Sequence, residues 1–165
     1  MREVHGDLIG LAEEGNFDMI AHGCNCFCTM RRGIAPQIAA AFPDAERADK
    51  KTHKGDFDKL GSYSQGLWRD KDMTFTLIVF NIYSQYEYDA KKKPLDYEAL
   101  TLGLRKINKR WGNMSTTLPN QKGKKRIGLP QIGAGLAGGD WDRIKGIIER
   151  ELKDMDVTIV YYNKG

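Results

Sequence analysis

Gly128-Leu129-Pro130-Gln131-Ile132-Gly133-Ala134-Gly135-Leu136-Ala137-Gly138-Gly139-Asp140-Trp141 is the stretch on which the fold turns. The apolar run Ile127 to Leu129 ends at Pro130, and glycines follow at 133, 135, 138 and 139. Trp141, Ile144, Ile147, Ile148 and Leu152 then fall on a helical period. A glycine-rich turn between a strand and a helix lets backbone amides approach an anion, and the helix start adds positive partial charge. The element reads as a cradle for a phosphate or diphosphate. Gly133, Gly135 and Gly138 also spell G-x-G-x-x-G, but a dinucleotide fold needs an acidic residue about 20 residues on, at the end of the next strand. That strand, Val157 to Tyr162, runs into Asn163-Lys164-Gly165 instead, which argues against a Rossmann fold.

The 165 residues fit one domain, residues 1–165. No apolar run is long enough to cross a bilayer and no signal-peptide pattern opens the chain, so the expectation is a cytoplasmic protein without a membrane partner. The net charge of +4 suits an anionic ligand. Specific nucleic-acid binding would call for a basic stripe with interleaved aromatics. The basic clusters Lys91 to Lys93 and Lys122 to Arg126 adjoin turn residues and read as solvated loops, so no specific nucleic-acid partner is expected; the chain is expected to be a monomer. Cys24, Cys26 and Cys28 are odd in number and tightly spaced, which makes a poor disulfide framework and points to a reducing compartment. With His22 they spell H-x-C-x-C-x-C. Alternation on an extended chain puts these groups in a line, whereas structural zinc draws on two separated ligand pairs. Small residues packed at a strand end is the preferred reading, and no metal is expected.

Along the chain, strands are expected at Met1–Val4, Phe17–His22, Leu60–Gln65, Thr74–Tyr83, Arg126–Leu129 and Val157–Tyr162. Helical segments are expected at Leu8–Gly15, Gly33–Phe42, Asp44–Lys54, from Pro94 through Trp111, and at Trp141–Lys153, with a break at Pro43-Asp44. Leu95, Ala99, Leu102 and Ile107 would form the core face of the long helix, and Met114 to Lys125 would be a polar loop. Alternating strands and helices imply an α/β sheet covered on both faces, with ligands beyond the carboxyl ends of the strands. Two segments share the order strand, polar or glycine-rich loop, helix: Gly23 to Gly33, and Gln131 to Asp140. If their strands are neighbours, the loops face each other across one crevice.

At this point the chain resembles a macro domain, the ADP-ribose-binding module. The resemblance rests on Gly6-Asp7-Leu8, on Ile20-Ala21-His22-Gly23-Cys24-Asn25, on Gly33-Ile34-Ala35, on Leu129 to Leu136 and on the closing Val157 to Tyr162. It implies a three-layer α/β/α fold with a mixed, mostly parallel central sheet, no cofactor, and ADP-ribose or its 1''-phosphate as ligand. His22-Gly-Cys-Asn-Cys, Pro130-Gln131-Ile132 and Asp140-Trp141 are most similar to two branches. One is the ADP-ribose-1''-phosphate phosphatases; the other is the terminal ADP-ribose-protein glycohydrolases, which act on an ADP-ribosylated protein.

Carried over, the resemblance implies that Asp7 accepts from the adenine amino group and Leu8 meets adenine through its backbone. Asn25 would hold the distal ribose, and Arg32, Gly33 and Ile34 would line its surroundings. Gln131 and Ile132 lead into the second loop, where Gly133, Ala134, Gly135, Leu136 and Ala137 would donate amides to the diphosphate. Tyr162, or Asn163 beside it, would border the adenine. Each has a structural alternative: Asp7 as a helix cap, Asn25 as the stabiliser of its own loop, Tyr162 as packing.

For phosphatase chemistry, His22 is the candidate acid or base because its ordinary pKa lies near neutrality. Asn25 would position ribose or water, and Asp140 is a candidate second carboxylate. The alternatives are a structural imidazole for His22 and, preferred for Asp140, an N-cap before Trp141. The glycohydrolase branch uses a lysine after the central strand and an aspartate after the second glycine loop. Here the first segment reads Asn81-Ile-Tyr-Ser-Gln-Tyr86, with lysines only from Lys91, and the residue after Leu136 is Ala137. A non-catalytic ADP-ribose reader is the remaining alternative. Arg31-Arg32 stands where relatives carry small residues. One of these arginines is a candidate for the extra phosphate through its planar donor fork; the contrary reading has both in solvent or narrowing the pocket.

Overall fold

The computed structural model describes residues 1–114 and 123–162. Among them, six strands form one sheet: β1 (Arg2–Gly6), β2 (Met19–Cys24), β3 (Tyr63–Arg69), β4 (Thr76–Tyr83), β5 (Arg126–Leu129) and β6 (Asp156–Tyr162). Their order is β1-β6-β5-β2-β4-β3. All neighbours run parallel except β3 against β4.

Side-chain alternation along each strand decides which helices cover which face. On β2, Met19 and Ala21 enter a core with Leu100, Leu104 and Ile107 of helix α4 (Tyr97–Trp111) and Ile144, Ile147 and Ile148 of helix α5 (Trp141–Glu151). Ile20 between them points the other way. It packs with Leu8 and Ala12 of helix α1 (Leu8–Glu13), Ile38 of helix α2 (Ala35–Ala41) and Ala45 of helix α3 (Pro43–Lys50). The result is the expected α/β/α sandwich with a mixed, mostly parallel sheet. The parallel strands β1, β6, β5, β2 and β4 all present their carboxyl ends at the same edge, where ligands of such folds bind.

Several boundaries differ from the sequence expectation. β2 starts at Met19 because Asp18 is committed to β5: its carboxylate accepts from Arg126 N at 2.8 Å and pairs with the guanidinium. β3 starts at Tyr63, after a 3-10 turn at Phe57–Lys59 capped by Asp56. Pro43 does not end a helical run but opens α3, where its missing N–H costs nothing. The break is the single residue Phe42, buried edge-on to Trp68. α4 starts at Tyr97 because Asp96 caps it, accepting from Ala99 N, while Leu95 is held extended by a bridge to Gln85. Its core face is therefore Ala99, Leu100, Leu104 and Ile107; Leu102 is half-buried. Residues 115–122 of the expected Met114–Lys125 loop, and Asn163, lie outside the described residues. Among the described residues no helix is long and apolar enough to cross a membrane.

Candidate functional site

β2 and β5 are hydrogen-bonded neighbours, so the β2–α2 and β5–α5 loops do meet. They border a cleft of about 810 Å³ at the carboxyl edge of the sheet, a size usual for small-molecule sites. Asp7 and Leu8 line one end with Tyr161 and Tyr162 of β6; Ser84, Gln85 and Tyr88, following β4, line the other. Between them lie Asn25, Thr29 and Arg31 to Ile34 on one side, and Gln131 to Gly133 and Gly135 to Ala137 on the other.

The β5–α5 loop is folded by its glycines. Gly133 has φ +75°, and its carbonyl accepts from Gly139 N at 2.8 Å, while Gly135 O accepts from Gly138 N at 3.0 Å. Ala137 O accepts from Leu95 N, which ties the loop to the segment before α4. Among the described residues, nothing accepts from the amides of Gly133, Gly135, Leu136 and Ala137. Unpaired amides on such a turn form a concave nest with the polarity to hold an anion. Ala134 is the exception to the expected series: it packs on the α4–α5 core and does not line the cleft.

The β2–α2 loop is held by Asn25, which is 8% exposed. Its Oδ1 accepts from Phe27 N at 2.8 Å, and its Nδ2 donates to Thr29 Oγ1 at 2.9 Å and Thr29 O at 3.1 Å. Asn25 thus stabilises its own loop while lining the cleft. Cys24 and Cys26 pack with Tyr83 in a small apolar cluster, and burial raises both thiols above their ordinary range, Cys26 to about 11. Arg31 and Arg32 are exposed at the mouth, and among the described residues neither pairs with a carboxylate.

Two further expectations meet a different geometry. His22 reaches the cleft floor with 1% of its surface exposed. Its ring lies 2.7 Å from Asn81 Oδ1 through Nε2. Asn81 Nδ2 already donates to Ala45 O and Ser64 Oγ, so its oxygen faces the ring and Nε2 is the donor. Burial depresses the imidazole to about 4, outweighing the bond to Asn81 that acts to raise it. The ring is neutral at pH 7 and fits the structural alternative. Asp140 does not line the cleft. It is the N-cap of α5, its Oδ1 accepting from Asp142 N at 3.1 Å, and its own N–H donates to Tyr97 Oη at 2.9 Å. Asp7 both caps α1, accepting from Ile9 N at 3.2 Å, and lines the cleft. Tyr162 is 74% exposed at the same end.

No protein-family model matches the sequence. The chain is 37% identical over 161 residues to an uncharacterised 17.5 kDa protein from the tk-vs intergenic region of Enterobacteria phage T4, covering 97% of this chain and 95% of that one. It is 23% identical over 159 residues to the ADP-ribose 1''-phosphate phosphatase of Saccharomyces cerevisiae, covering 86% and 88%. Among solved structures, the macrodomain of Thermus aquaticus DarG superposes with a TM-score of 0.62 at 20% identity, covering 98% of this chain and 97% of that one. Thermosipho africanus DarTG in complex with ADP-ribose superposes with a TM-score of 0.63 at 17% identity, over 99% of this chain and 42% of that one. The chain has the macrodomain fold.

In this fold, Thr29, Ser84, Gln85 and Tyr88 line the cleft without having been singled out from sequence. The rule that ligands sit beyond strand carboxyl ends could have flagged Ser84 and Gln85, since β4 is a central parallel strand. Lys91 and Lys92 sit in a 3-10 turn (Ala90–Lys92), and neither they nor Lys93 lines the cleft.

Proposed function

We propose that this macro domain binds ADP-ribose in the cleft and hydrolyses ADP-ribose 1''-phosphate to ADP-ribose and inorganic phosphate, with uptake of one water. The observation that carries the proposal is the run of unpaired amides at Gly135, Leu136 and Ala137 facing the β2–α2 loop across one cleft. That nest suits a diphosphate. From β1 to β4 the sheet order gives four strand spacings, roughly 19 Å at about 4.8 Å each, which suits an elongated ligand with adenine near Asp7, Leu8 and Tyr162 and the distal ribose near Asn25.

Phosphatase action is supported by the likeness to the yeast enzyme and by the uncommitted Arg31 and Arg32. Planar guanidinium groups match phosphoryl oxygens and stabilise charge that develops on them in the transition state. The leaving atom is the anomeric oxygen, which the ring oxygen makes easier to expel than an ordinary alcohol. Water attacks phosphorus and the P–O1'' bond breaks. The water's proton passes to the departing oxygen or to solvent, since His22 has its Nε2–H committed to Asn81 and burial makes the ring a weak base.

A second reading, a non-catalytic ADP-ribose reader, is favoured by the same two facts about proton carriers: His22 is neutral and committed, and Asp140 lies outside the cleft. Removal of ADP-ribose from proteins by a lysine-dependent route is disfavoured, because the cleft lining after β4 is Ser84 and Gln85 rather than lysine. Calorimetry with ADP-ribose tests the ligand, and phosphate release from ADP-ribose 1''-phosphate tests the reaction. Binding with release supports the phosphatase; binding without release leaves the reader; no binding at millimolar ADP-ribose ends both.

A further inference from the structure

At the β4 end of the cleft floor lies Ser84, 1% exposed. Among the described residues, its Oγ and Trp111 Nε1 are the buried side-chain nitrogen and oxygen atoms without a hydrogen-bond partner. An unpaired buried hydroxyl is costly, by about 1–3 kcal/mol, and asks for an explanation. Trp111 does not line the cleft; Ser84 does.

The main chain holds Ser84 from both sides. Its N–H donates to Ile82 O at 2.9 Å, and its carbonyl accepts from Asp96 N, the cap of α4, at 2.8 Å. The neighbouring strand contributes Gly23, and a Cβ there would come within 2.7 Å of Ser84 Oγ and 3.3 Å of Ile132 Cγ1. Glycine at 23 therefore leaves space beside the hydroxyl, at the seam between the β2–α2 and β5–α5 loops. The residue is fixed by its main chain and lines the cleft, while its hydroxyl is covered and without a partner.

We infer that Ser84 is a specificity-determining residue: its hydroxyl is reserved for a hydrogen bond with the distal ribose or the group carried on it, and it makes the cleft prefer ADP-ribose over ADP. The assignment rests on the ADP-ribose reading above. β4 lies beyond β2 from the Asp7 end, so a ligand with adenine at Asp7 brings its far sugar, and not its adenine, to Ser84. A buried polar group that a ligand leaves unpaired discriminates strongly against that ligand. ADP has no distal sugar and leaves Ser84 as it is in the free protein, whereas ADP-ribose satisfies it.

The test is calorimetry of the unaltered chain and of Ser84→Ala with ADP-ribose and with ADP, together with thermal melting of both proteins. The expected result is about a tenfold loss of ADP-ribose affinity in Ser84→Ala, from one lost hydrogen bond in a dry site. ADP affinity should stay within about twofold, and the melting temperature should not fall, since the variant removes an unpaired group. If the unaltered chain prefers ADP-ribose and Ser84→Ala keeps that preference in full, or loses both ligands equally, the Ser84 assignment is overturned while the ligand reading stands. If the unaltered chain binds neither nucleotide, the ligand reading falls and takes this inference with it.

Discussion

The Nε2–H of His22 donates to Asn81 Oδ1 across 2.7 Å, between residues directly paired in the β2–β4 register. Through Asn81 Nδ2 the same link reaches Ala45 O of α3 and Ser64 Oγ of β3. One imidazole therefore helps to fix three strands and a helix beneath the cleft floor. Cys24 Sγ sits 3.5 Å from Nε2 on the same face of the sheet. The arrangement has every mark of a neutral support, with the ring's Nε2–H committed to Asn81 at pH 7.

Stability should consequently fall as the pH is lowered from about 6.5 to about 4. An unfolded chain's imidazole binds its proton below the ordinary value of 6.5, whereas the buried ring does so only near 4. Within that interval the unfolded state takes up a proton that the folded state refuses, so acid favours unfolding, and above 6.5 the contribution is fully present. The shift corresponds to roughly 3 kcal/mol. Denaturant titrations at stepped pH, for the native chain and for His22→Gln, whose amide can still donate to Asn81, should show a shallower acid slope in the variant. Equal slopes would contradict a neutral, buried His22.

Asp140→Ala should cost about 1 kcal/mol of stability through the lost N-cap of α5. It should leave ADP-ribose affinity and phosphate release unchanged, because the side chain is bonded to Asp142 N and does not line the cleft. Thermal melting paired with a phosphate-release assay checks both halves; a loss of turnover without a loss of stability would return Asp140 to the chemistry.

Replacing Arg31-Arg32 by Gly-Ser should weaken ADP-ribose 1''-phosphate binding by roughly tenfold, the scale of one charged hydrogen bond at an exposed site. Plain ADP-ribose should be affected less, because it lacks the terminal phosphate. Both guanidiniums are exposed and make no ion pair among the described residues, so folding should not change. Unaltered affinity for the 1''-phosphate, read by calorimetry on a slowly turned-over sample or a non-hydrolysable analogue, would remove the arginines from the site.

The layers of this fold were legible because they depend on local pattern. Thr74 to Tyr83 reads as a buried strand from its β-branched and aromatic residues, and the strand forms from Thr76; the Ile144, Ile147, Ile148 spacing reads as one helix face. The glycine spacing from Gly133 to Gly139 reads as a tight strand-to-helix turn for the same reason. What stayed hidden depends on tertiary neighbours. Nothing around His22 in sequence signals Asn81, 59 residues away, which decides the ring's tautomer and helps to fix its burial. Nor does Tyr83-Ser84-Gln85 show that a hydroxyl there will lie dry and unpaired, since Gly23 and Asp96 create that environment. Helix boundaries moved for a similar reason: Leu95 is periodic with α4, but its bridge to Gln85 holds it out of the helix.

The β5–α5 loop permits a sharper test, because two of its glycines do different jobs. Gly133 sits at φ +75°, and a Cβ there would come within 3.0 Å of Leu95 Cδ1. A Cβ at Gly135 would meet no atom within 4 Å outside its chain neighbours, and its φ is not positive. Left-handed backbone costs an L-residue roughly 1–2 kcal/mol, so Gly133→Ala should lower stability by about that much or more once Leu95 must move. Gly135→Ala should melt with the native chain. The strained variant should also shift the amides of Gly135 to Ala137 and weaken ADP-ribose binding. Melting curves and calorimetry on the two variants separate the effects; equal stability of both would mean that Gly133 does not set the shape of the loop.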